Sequence, residues 1–205
     1  GSEMCIRDRL LTVLALSIER YFALRSAFGK GSLSKFVANI KDALAAGDMK
    51  KAQEICDKQR GSVANVVTST LCKYEEMEKN TSLPKKQKLL AIQKELEEAT
   101  ALEMPMMQQN LPIIATITTL GTLMGLLGTV IGMIRSFAAL AAGGSADSMA
   151  LSQGISEALI NTAFGILTGA LAVISYNYYT NKIDKLTYSL DEVGFSIVQT
   201  FAATH

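Results

Sequence analysis

Two long apolar runs, Leu111–Ile134 and Ala158–Tyr179, constrain the fold of this chain more than any other feature of the sequence. Each run is longer than the roughly 20 residues that a helix needs to cross the hydrocarbon core of a bilayer. Between residues 103 and 182 the sequence contains three charged residues: Arg135, Asp147 and Glu157. A helix pairs its own backbone polar groups in lipid, so both runs are predicted to be transmembrane helices.

The remaining charge is concentrated in the first half of the 205-residue chain, where 15 of the 20 Lys and Arg residues lie between Arg20 and Lys94. Acidic residues are mixed among them, and the net charge is +1. A nucleic-acid-binding surface needs a basic excess on one face, so no nucleic-acid partner is predicted. The composition predicts a polar, helix-forming segment followed by a membrane segment.

The sequence does not support a metal centre, a cofactor or covalent catalysis. Its single histidine is the C-terminal residue, His205, and the three cysteines lack metal-binding spacing. We therefore predict no enzyme activity, no cofactor, no metal ligands and no catalytic residues. Cys56 and Cys72 are predicted to be reduced thiols on apolar helix faces.

The N-terminal end departs from the pattern of a complete transmembrane helix. Residues 10–24 are typical of the cytoplasmic end of one, because the apolar run Leu10–Ile18 is followed by Glu19 and Arg20. That run is too short to cross a bilayer. Residues 1–9 are charged where the rest of the span should lie, so we interpret them as a non-native or mis-joined end and the first span as truncated. A short amphipathic anchor is the alternative.

Residues 25–110 are predicted to form a cytoplasmic helical domain. Gly47 and Gly61 are typical helix stops, Asp48 is a typical N-cap, and Pro84 suits a first helical turn. Apolar residues recur at helical spacing between these signals. Pro105 and Pro112 are predicted to kink the helix that enters the membrane rather than to end it.

Basic residues near the spans predict the orientation. Several follow the first span and two follow the last, whereas the segment 138–153 has none. The helical domain and the C-terminus are therefore predicted to be cytoplasmic. The predicted order is transmembrane helix 111–137, an outer loop 138–153, transmembrane helix 154–181 and a C-terminal helix 182–205. The fold class is all-α: an integral membrane protein whose long transmembrane helices extend into a cytoplasmic helical domain.

Small and polar residues share one face of each transmembrane helix, within an arc of roughly 140° on the last span. They are Thr118, Thr122, Gly125, Thr129 and Gly132 with the flanking Gly128, and Glu157, Asn161, Thr162, Gly165, Thr168 and Gly169. Two interpretations remain open. Small residues at this spacing allow close helix packing, and the hydroxyl, amide and carboxyl groups could line a polar path through the membrane.

Glu157 is the central candidate for function, because a carboxylate within an apolar span is costly to bury. A single carboxylate with neighbouring hydroxyls could carry a proton, whereas it would bind a metal ion poorly. The alternative is that Glu157 is hydrated at the outer interface and only caps the helix. The sequence leaves both interpretations open.

Two segments, Gly125–Ile134 with Phe137 and Gly154–Gly165, resemble the MotA/TolQ/ExbB proton channel family. The resemblance extends over residues 10–200. A single span before a large cytoplasmic domain is similar to ExbB or TolQ rather than to the four-span MotA. One departure is Thr122, which occupies a position where relatives commonly have proline, and this puts the local helix bend in question.

The resemblance implies a multi-pass protein of the bacterial inner membrane, with the segment 138–153 in the periplasm. It implies a pentameric ring of this chain that holds the helices of an ExbD- or TolR-like single-span partner. Proton flow would energise a TonB- or TolA-like protein that acts on the outer membrane. Glu157 matches the family's intramembrane glutamate, and Thr129 and Thr162 match its pore threonines. An ExbB-like role is expected; a TolQ-like role, or a scaffold ring that conducts no protons itself, is the alternative.

Overall fold

A computed structural model describes the backbone of residues 2–143 and 148–204, and the side chains of residues 10–141, 149 and 151–204. The described residues form helices joined by short turns, with no β-strand among them, so the all-α prediction is confirmed. The helices are α1 Ser2–Phe28, α2 Leu33–Ala45, α3 Met49–Gln59, α4 Ser62–Lys79, α5 Lys85–Gln108, α6 Leu111–Gly143 and α7 Ser148–Thr204.

The chain divides into two compact units. The apolar unit contains residues 1–20 and 110–180, and the polar unit contains residues 21–109 and 181–205. Two stretches of the described chain, Lys85–Ala141 and Leu151–Thr204, are long and apolar enough to cross a membrane. These stretches include most of α6 and of α7, which confirms that the chain has two long apolar helices of membrane-spanning length.

Neither Pro105 nor Pro112 ends a helix, as predicted, but the prediction of one continuous helix across the junction of α5 and α6 is wrong. Helix α5 ends at Gln108 and α6 begins at Leu111, and Asn110 between them has a φ of 65°. Asparagine tolerates this left-handed conformation better than most residues. Pro105 lies inside α5, and Pro112 lies in the first turn of α6, where its missing N–H costs no helical hydrogen bond.

Helical structure also occupies both ends of the segment predicted as an outer loop. Helix α6 continues to Gly143 and α7 begins at Ser148. The central part of that segment, residues 144–147, lies outside the described residues, as does residue 1 of the N-terminal end predicted to be non-native. The side chains of residues 2–9 are also not described.

The polar unit is built on large buried side chains from α2, α4 and the C-terminal part of α7. The C-terminal part of α7 has an apolar stripe that is buried to 4% exposure or less, and its members are Ile183, Leu186, Leu190, Val193 and Ile197. Helix α7 continues without a break to Thr204, so the segment predicted as a C-terminal helix is the end of α7. Asp48 caps α3 as predicted, because its carboxylate accepts a hydrogen bond from the Lys51 N–H at 3.0 Å.

A close backbone approach joins the end of α1 to the corner between α3 and α4. Gly29 and Gly61 have φ angles of 76° and 95°, which favour glycine. A methyl group added at Gly29 would lie 1.9 Å from the Arg60 carbonyl oxygen, and one added at Gly61 would lie 2.6 Å from that of Ser26. The Gln59 side chain donates a 2.7 Å hydrogen bond to the Phe28 carbonyl at the same corner.

Candidate functional site

Helices α6 and α7 of the apolar unit pack against each other in antiparallel directions. A methyl group added at Gly132 would lie 2.5 Å from Ala158 Cβ, and one added at Gly121 would lie 3.3 Å from the Gly165 carbonyl oxygen. Higher residue numbers in α6 therefore face lower numbers in α7. At Gly165 the approach is backbone to backbone, because an added methyl group would lie 2.8 Å from Gly125 Cα.

A hydrogen bond between the two helices forms at the centre of this contact. The Thr162 hydroxyl donates to the Gly125 carbonyl oxygen at 2.8 Å. That carbonyl is accessible because neither Gly125 nor the neighbouring Gly165 carries a side chain. Glycine and threonine are the residues that allow helices to approach closely in lipid, and here the same residues also form a polar contact.

The structure places the predicted glycines at this contact, as the packing interpretation expects. Those with a partner across the contact are Gly121, Gly125, Gly132, Gly165 and Gly169, while Gly128 faces Asn161 Cβ at 3.4 Å. The hydroxyls of Thr118, Thr122 and Thr168 donate to carbonyls of their own helices, at 2.5 Å, 3.3 Å and 2.9 Å. The hydroxyls of these three threonines therefore add no unpaired donor to the apolar unit.

The contact separates the remaining polar residues into two sets. Because successive residues are about 100° apart around a helix, each position can be placed relative to the contact. Thr122, Thr129 and Thr162 lie on one side, which we call the threonine side; a methyl group added at Gly169 there would lie 2.8 Å from Thr122 Oγ1. Asn161 and Glu157, about 40° apart on α7, lie on the other side, which we call the carboxylate side.

The burial of these residues differs between the two sides. Thr129 and Thr162 are half-buried, and the Thr129 hydroxyl donates to the Leu126 carbonyl at 2.6 Å. Asn161 is 6% exposed, whereas Glu157 is exposed in the single protomer. Within one chain, Glu157 is therefore separated from the threonine pair by the packed backbones of α6 and α7.

A polar cluster that was not predicted from the sequence lies at the other end of the apolar unit. Arg20 is 1% exposed and donates to both carboxylate oxygens of Glu19, at 2.7 Å and 2.5 Å. Asn110, at the break between α5 and α6, donates to Glu19 Oε2 at 3.1 Å. The Tyr179 hydroxyl also donates to the Ser17 carbonyl. These contacts tie α1 to both long helices, and the adjacent Glu19–Arg20 pair was their only sequence signal.

Among the described residues, no group of three or more His, Cys, Asp or Glu side chains is placed to hold a metal ion. The chemical groups that the contact offers are a carboxylate, an amide and hydroxyls on apolar helices. Such groups can accept, donate and transfer protons.

The sequence model of the MotA/TolQ/ExbB proton channel family matches residues 64–192, more than half of the chain. The chain belongs to this family. The resemblance predicted from the two glycine-containing segments is therefore confirmed, and both segments, with Glu157, Thr129 and Thr162, lie inside the matched range. Membership also identifies the chain as a membrane protein of a transport-related family.

Relatives within the family include both ExbB and TolQ proteins. ExbB-like 3, a biopolymer transport protein of Synechocystis sp., is 35% identical over 86 residues, which is 41% of each chain. The Tol-Pal system protein TolQ of Haemophilus influenzae is 33% identical over 104 residues, 45% of this chain and 46% of that protein. The biopolymer transport protein ExbB of Pseudomonas putida is 27% identical over 154 residues, 75% of this chain and 46% of that protein. The chain spans less than half the length of each.

Proposed function

We propose that this chain is an ExbB-like subunit of a proton channel in the bacterial inner membrane. In this proposal the proton-motive force energises a TonB-type protein for outer-membrane transport. The α6–α7 contact carries the proposal, because it holds a carboxylate and two hydroxyls on apolar helices inside the family-matched segment. The ExbB of Pseudomonas putida, aligned over 75% of this chain, supports the ExbB-like assignment.

The channel itself requires several copies of the chain, since one α6–α7 pair cannot enclose a path through the membrane. We propose a pentameric ring in the lipid bilayer that holds the membrane helix of an ExbD- or TolR-like single-span protein. A TonB- or TolA-like protein would receive the resulting force. In this arrangement residues 10–24, 111–137 and 154–181 lie in the membrane, residues 25–110 and 182–205 lie in the cytoplasm, and 138–153 lie in the periplasm.

The threonine side suits a partner that carries a protonated acid. Thr162 and Thr129 donate their protons to carbonyls, at 2.8 Å and 2.6 Å, so their oxygens offer free lone pairs to this side of the contact. An ionised carboxylate can only accept hydrogen bonds, whereas a carboxylic acid, a water molecule or a hydronium ion can donate one. The two threonines therefore favour the protonated state of a carboxyl group on the partner helix.

Glu157 is the residue of this chain proposed to exchange protons. It lies on the carboxylate side of the contact, so it transfers protons along a path distinct from the threonine pair of its own chain. The sequence that follows it in α7 is uncharged as far as Lys182, and a carboxylate in such a span is costly unless it is protonated or paired. Its proposed role is to take up a proton at the periplasmic half of the channel and to release it inward.

The test is proton flux in liposomes that contain this chain with its single-span partner. Glu157→Gln keeps the size and polarity of the side chain but removes the titratable group, so we expect flux to fall to the background of empty liposomes. Ser156→Ala is the matched control, because Ser156 is exposed on the neighbouring position of the same helix. Wild-type flux in Glu157→Gln would refute the proton-exchange role.

Two alternatives are distinguished by this assay together with complementation in cells. A TolQ-like subunit, favoured by the TolQ relative, would show the same flux but would restore envelope integrity rather than uptake in cells. A scaffold ring, favoured by the separation of Glu157 from the threonine pair, would show flux that depends on the partner's acid and not on Glu157.

A further inference from the structure

The described side chains of the apolar unit include four that carry charge: Glu19, Arg20, Arg135 and Glu157. Glu19 and Arg20 bond to each other beside Asn110, at the first turn of α6. Arg135 and Glu157 lie near the opposite ends of their helices, and both are exposed in the single protomer. The packing of α6 against α7 does not explain why Arg135 and Glu157 carry charge at these positions.

Arg135 and Glu157 lie on the same side of the α6–α7 contact. Taking the line through Gly125 and Gly132 as the centre on α6, Arg135 is rotated from it by about 70° towards the side of Gly128. Gly128 faces Asn161, and Glu157 is rotated by about 70° from the centre of the contact on α7 in that same direction. Both charges therefore belong to the carboxylate side.

The depth of the two residues is fixed by their neighbours. Ala158, which follows Glu157, contacts Gly132, and Ser136, which follows Arg135, contacts Gly154. Arg135 and Glu157 are therefore about two residues apart along the axis, roughly 3 Å.

The directions of the two side chains reduce this separation. A Cα–Cβ bond in a helix is tilted towards the helix N-terminus. Because α6 and α7 are antiparallel, this tilt brings the Arg135 side chain towards the depth of Glu157 and the Glu157 side chain towards the depth of Arg135. A guanidinium on its long, flexible stem can then reach a carboxylate at nearly the same depth.

We propose that Arg135 is the counter-charge of Glu157, a positioning residue that pairs with the carboxylate during proton exchange. This inference rests on the proposed proton-exchange role of Glu157. Among the described side chains, Arg135 is the charged group that faces Glu157 from α6. Neither α7 within the apolar unit nor the described part of α1 presents another charge at this depth. In a membrane, an isolated charge is expensive, and an opposite charge nearby lowers that cost.

The pH profile of proton flux tests this inference in the assembled complex. Arg135→Gln and Arg135→Met each remove the charge, and methionine keeps an apolar stem suited to lipid. Without the cation the carboxylate loses its opposite charge, so the midpoint of the flux profile should shift by about one pH unit. Arg135→Lys retains the charge and should keep the midpoint near that of the wild type.

Met133→Gln is the matched control, because it introduces an amide at similar depth on the threonine side. It is expected to change the amplitude of flux without moving the midpoint. If both neutral variants conduct with an unchanged midpoint while Glu157→Gln abolishes flux, the counter-charge inference is wrong and the proposed function stands. If Glu157→Gln conducts like the wild type, the proton-exchange role itself fails.

Discussion

The interior of the polar unit and the interior of the apolar unit are packed in different ways. In the polar unit, large side chains fill the interior: Ile40, Leu71 and Phe201 are fully buried, and the rings of Tyr74 and Phe201 meet edge to face at 4.9 Å. In the apolar unit, α6 and α7 meet around Gly125 through glycine backbone and the Thr162–Gly125 hydrogen bond, and a smaller buried apolar cluster includes Val13, Ile114 and Ala172. Burial of apolar surface drives association in water, but lipid is as apolar as the side chains, so close backbone approach replaces it.

Among the variants that test this difference, removal of an aromatic ring from the polar unit should cause the largest loss of stability. Phe201→Ala deletes a side chain with 0% exposure, and we expect a loss of about 3–5 kcal/mol of unfolding free energy from lost burial and the remaining cavity. The measurement is denaturant unfolding in detergent. Phe195→Ala is the control, because Phe195 lies on the same helix and is 63% exposed. Equal losses for the two variants would contradict the assignment of Phe201 to the core.

The opposite change, adding a single methyl group, should damage the apolar unit. In Gly165→Ala the new methyl would lie 2.7 Å from the Gly121 carbonyl oxygen and 2.8 Å from Gly125 Cα, so the helices must separate. We expect a cost of about 1–3 kcal/mol and loss of the Thr162 hydrogen bond. Gly128→Ala is the matched control, since its methyl would meet Asn161 Cβ at an ordinary 3.4 Å.

Thermal unfolding in detergent and proton flux in liposomes distinguish the two glycine variants. Gly165→Ala should lower both the melting temperature and the flux, and Gly128→Ala should lower neither by a comparable amount. A Gly165→Ala protein as stable as the wild type would show that α6 and α7 are not held by this close contact.

The buried thiol of Cys56 reports on the polar unit alone. Desolvation raises the pKa of Cys56 to about 11 from an ordinary 9.0, which lowers its thiolate fraction about 100-fold near neutral pH. In a Cys5→Ser background, the exposed Cys72 should react with a maleimide first. Phe201→Ala should speed the labelling of Cys56, whereas Gly165→Ala should leave it unchanged; equal acceleration by both would contradict the independence of the two contacts.

The same shift predicts a pH dependence of stability. Because the pKa of Cys56 is higher in the folded protein, the folded state disfavours the thiolate. The stabilisation is complete below about pH 9 and is lost as pH rises towards 11. The loss should be less than about 2 kcal/mol, since the thiol is only partly desolvated. Urea unfolding of the wild type and Cys56→Ala should diverge over this window, and parallel profiles would contradict the shift.

What the sequence could predict depended on how local the determining contacts are. The Asp48 cap was predicted correctly, because capping depends on neighbouring residues. The break between α5 and α6 was not predicted, because the strong local signals in this segment are its prolines and the break does not lie at a proline. It lies at Asn110, whose side chain bonds to Glu19 far away in the sequence.

The candidate site shows the same limit. Helical periodicity correctly grouped Glu157 and Thr162 within one arc of α7, at its two edges. Which line of that arc the partner helix covers is a tertiary property, decided here by the fit of Gly125 against Gly165. Only this contact shows that the arc has two sides, with the carboxylate on one and the hydroxyl on the other.

The smallest effect should be found at the helix ends of the polar unit, where water competes for exposed N–H groups. Asp48 accepts a hydrogen bond from Lys51 N–H at 3.0 Å, so Asp48→Ala should cost about 1 kcal/mol. Ser32 occupies the same N-cap position of α2 but makes no side-chain cap hydrogen bond, so Ser32→Ala should cost close to nothing. Urea unfolding measures both. A larger loss for Ser32→Ala than for Asp48→Ala would contradict the assignment of Asp48 as the stabilising cap. Neither variant should alter proton flux, because both caps belong to the polar unit and the α6–α7 contact belongs to the apolar unit.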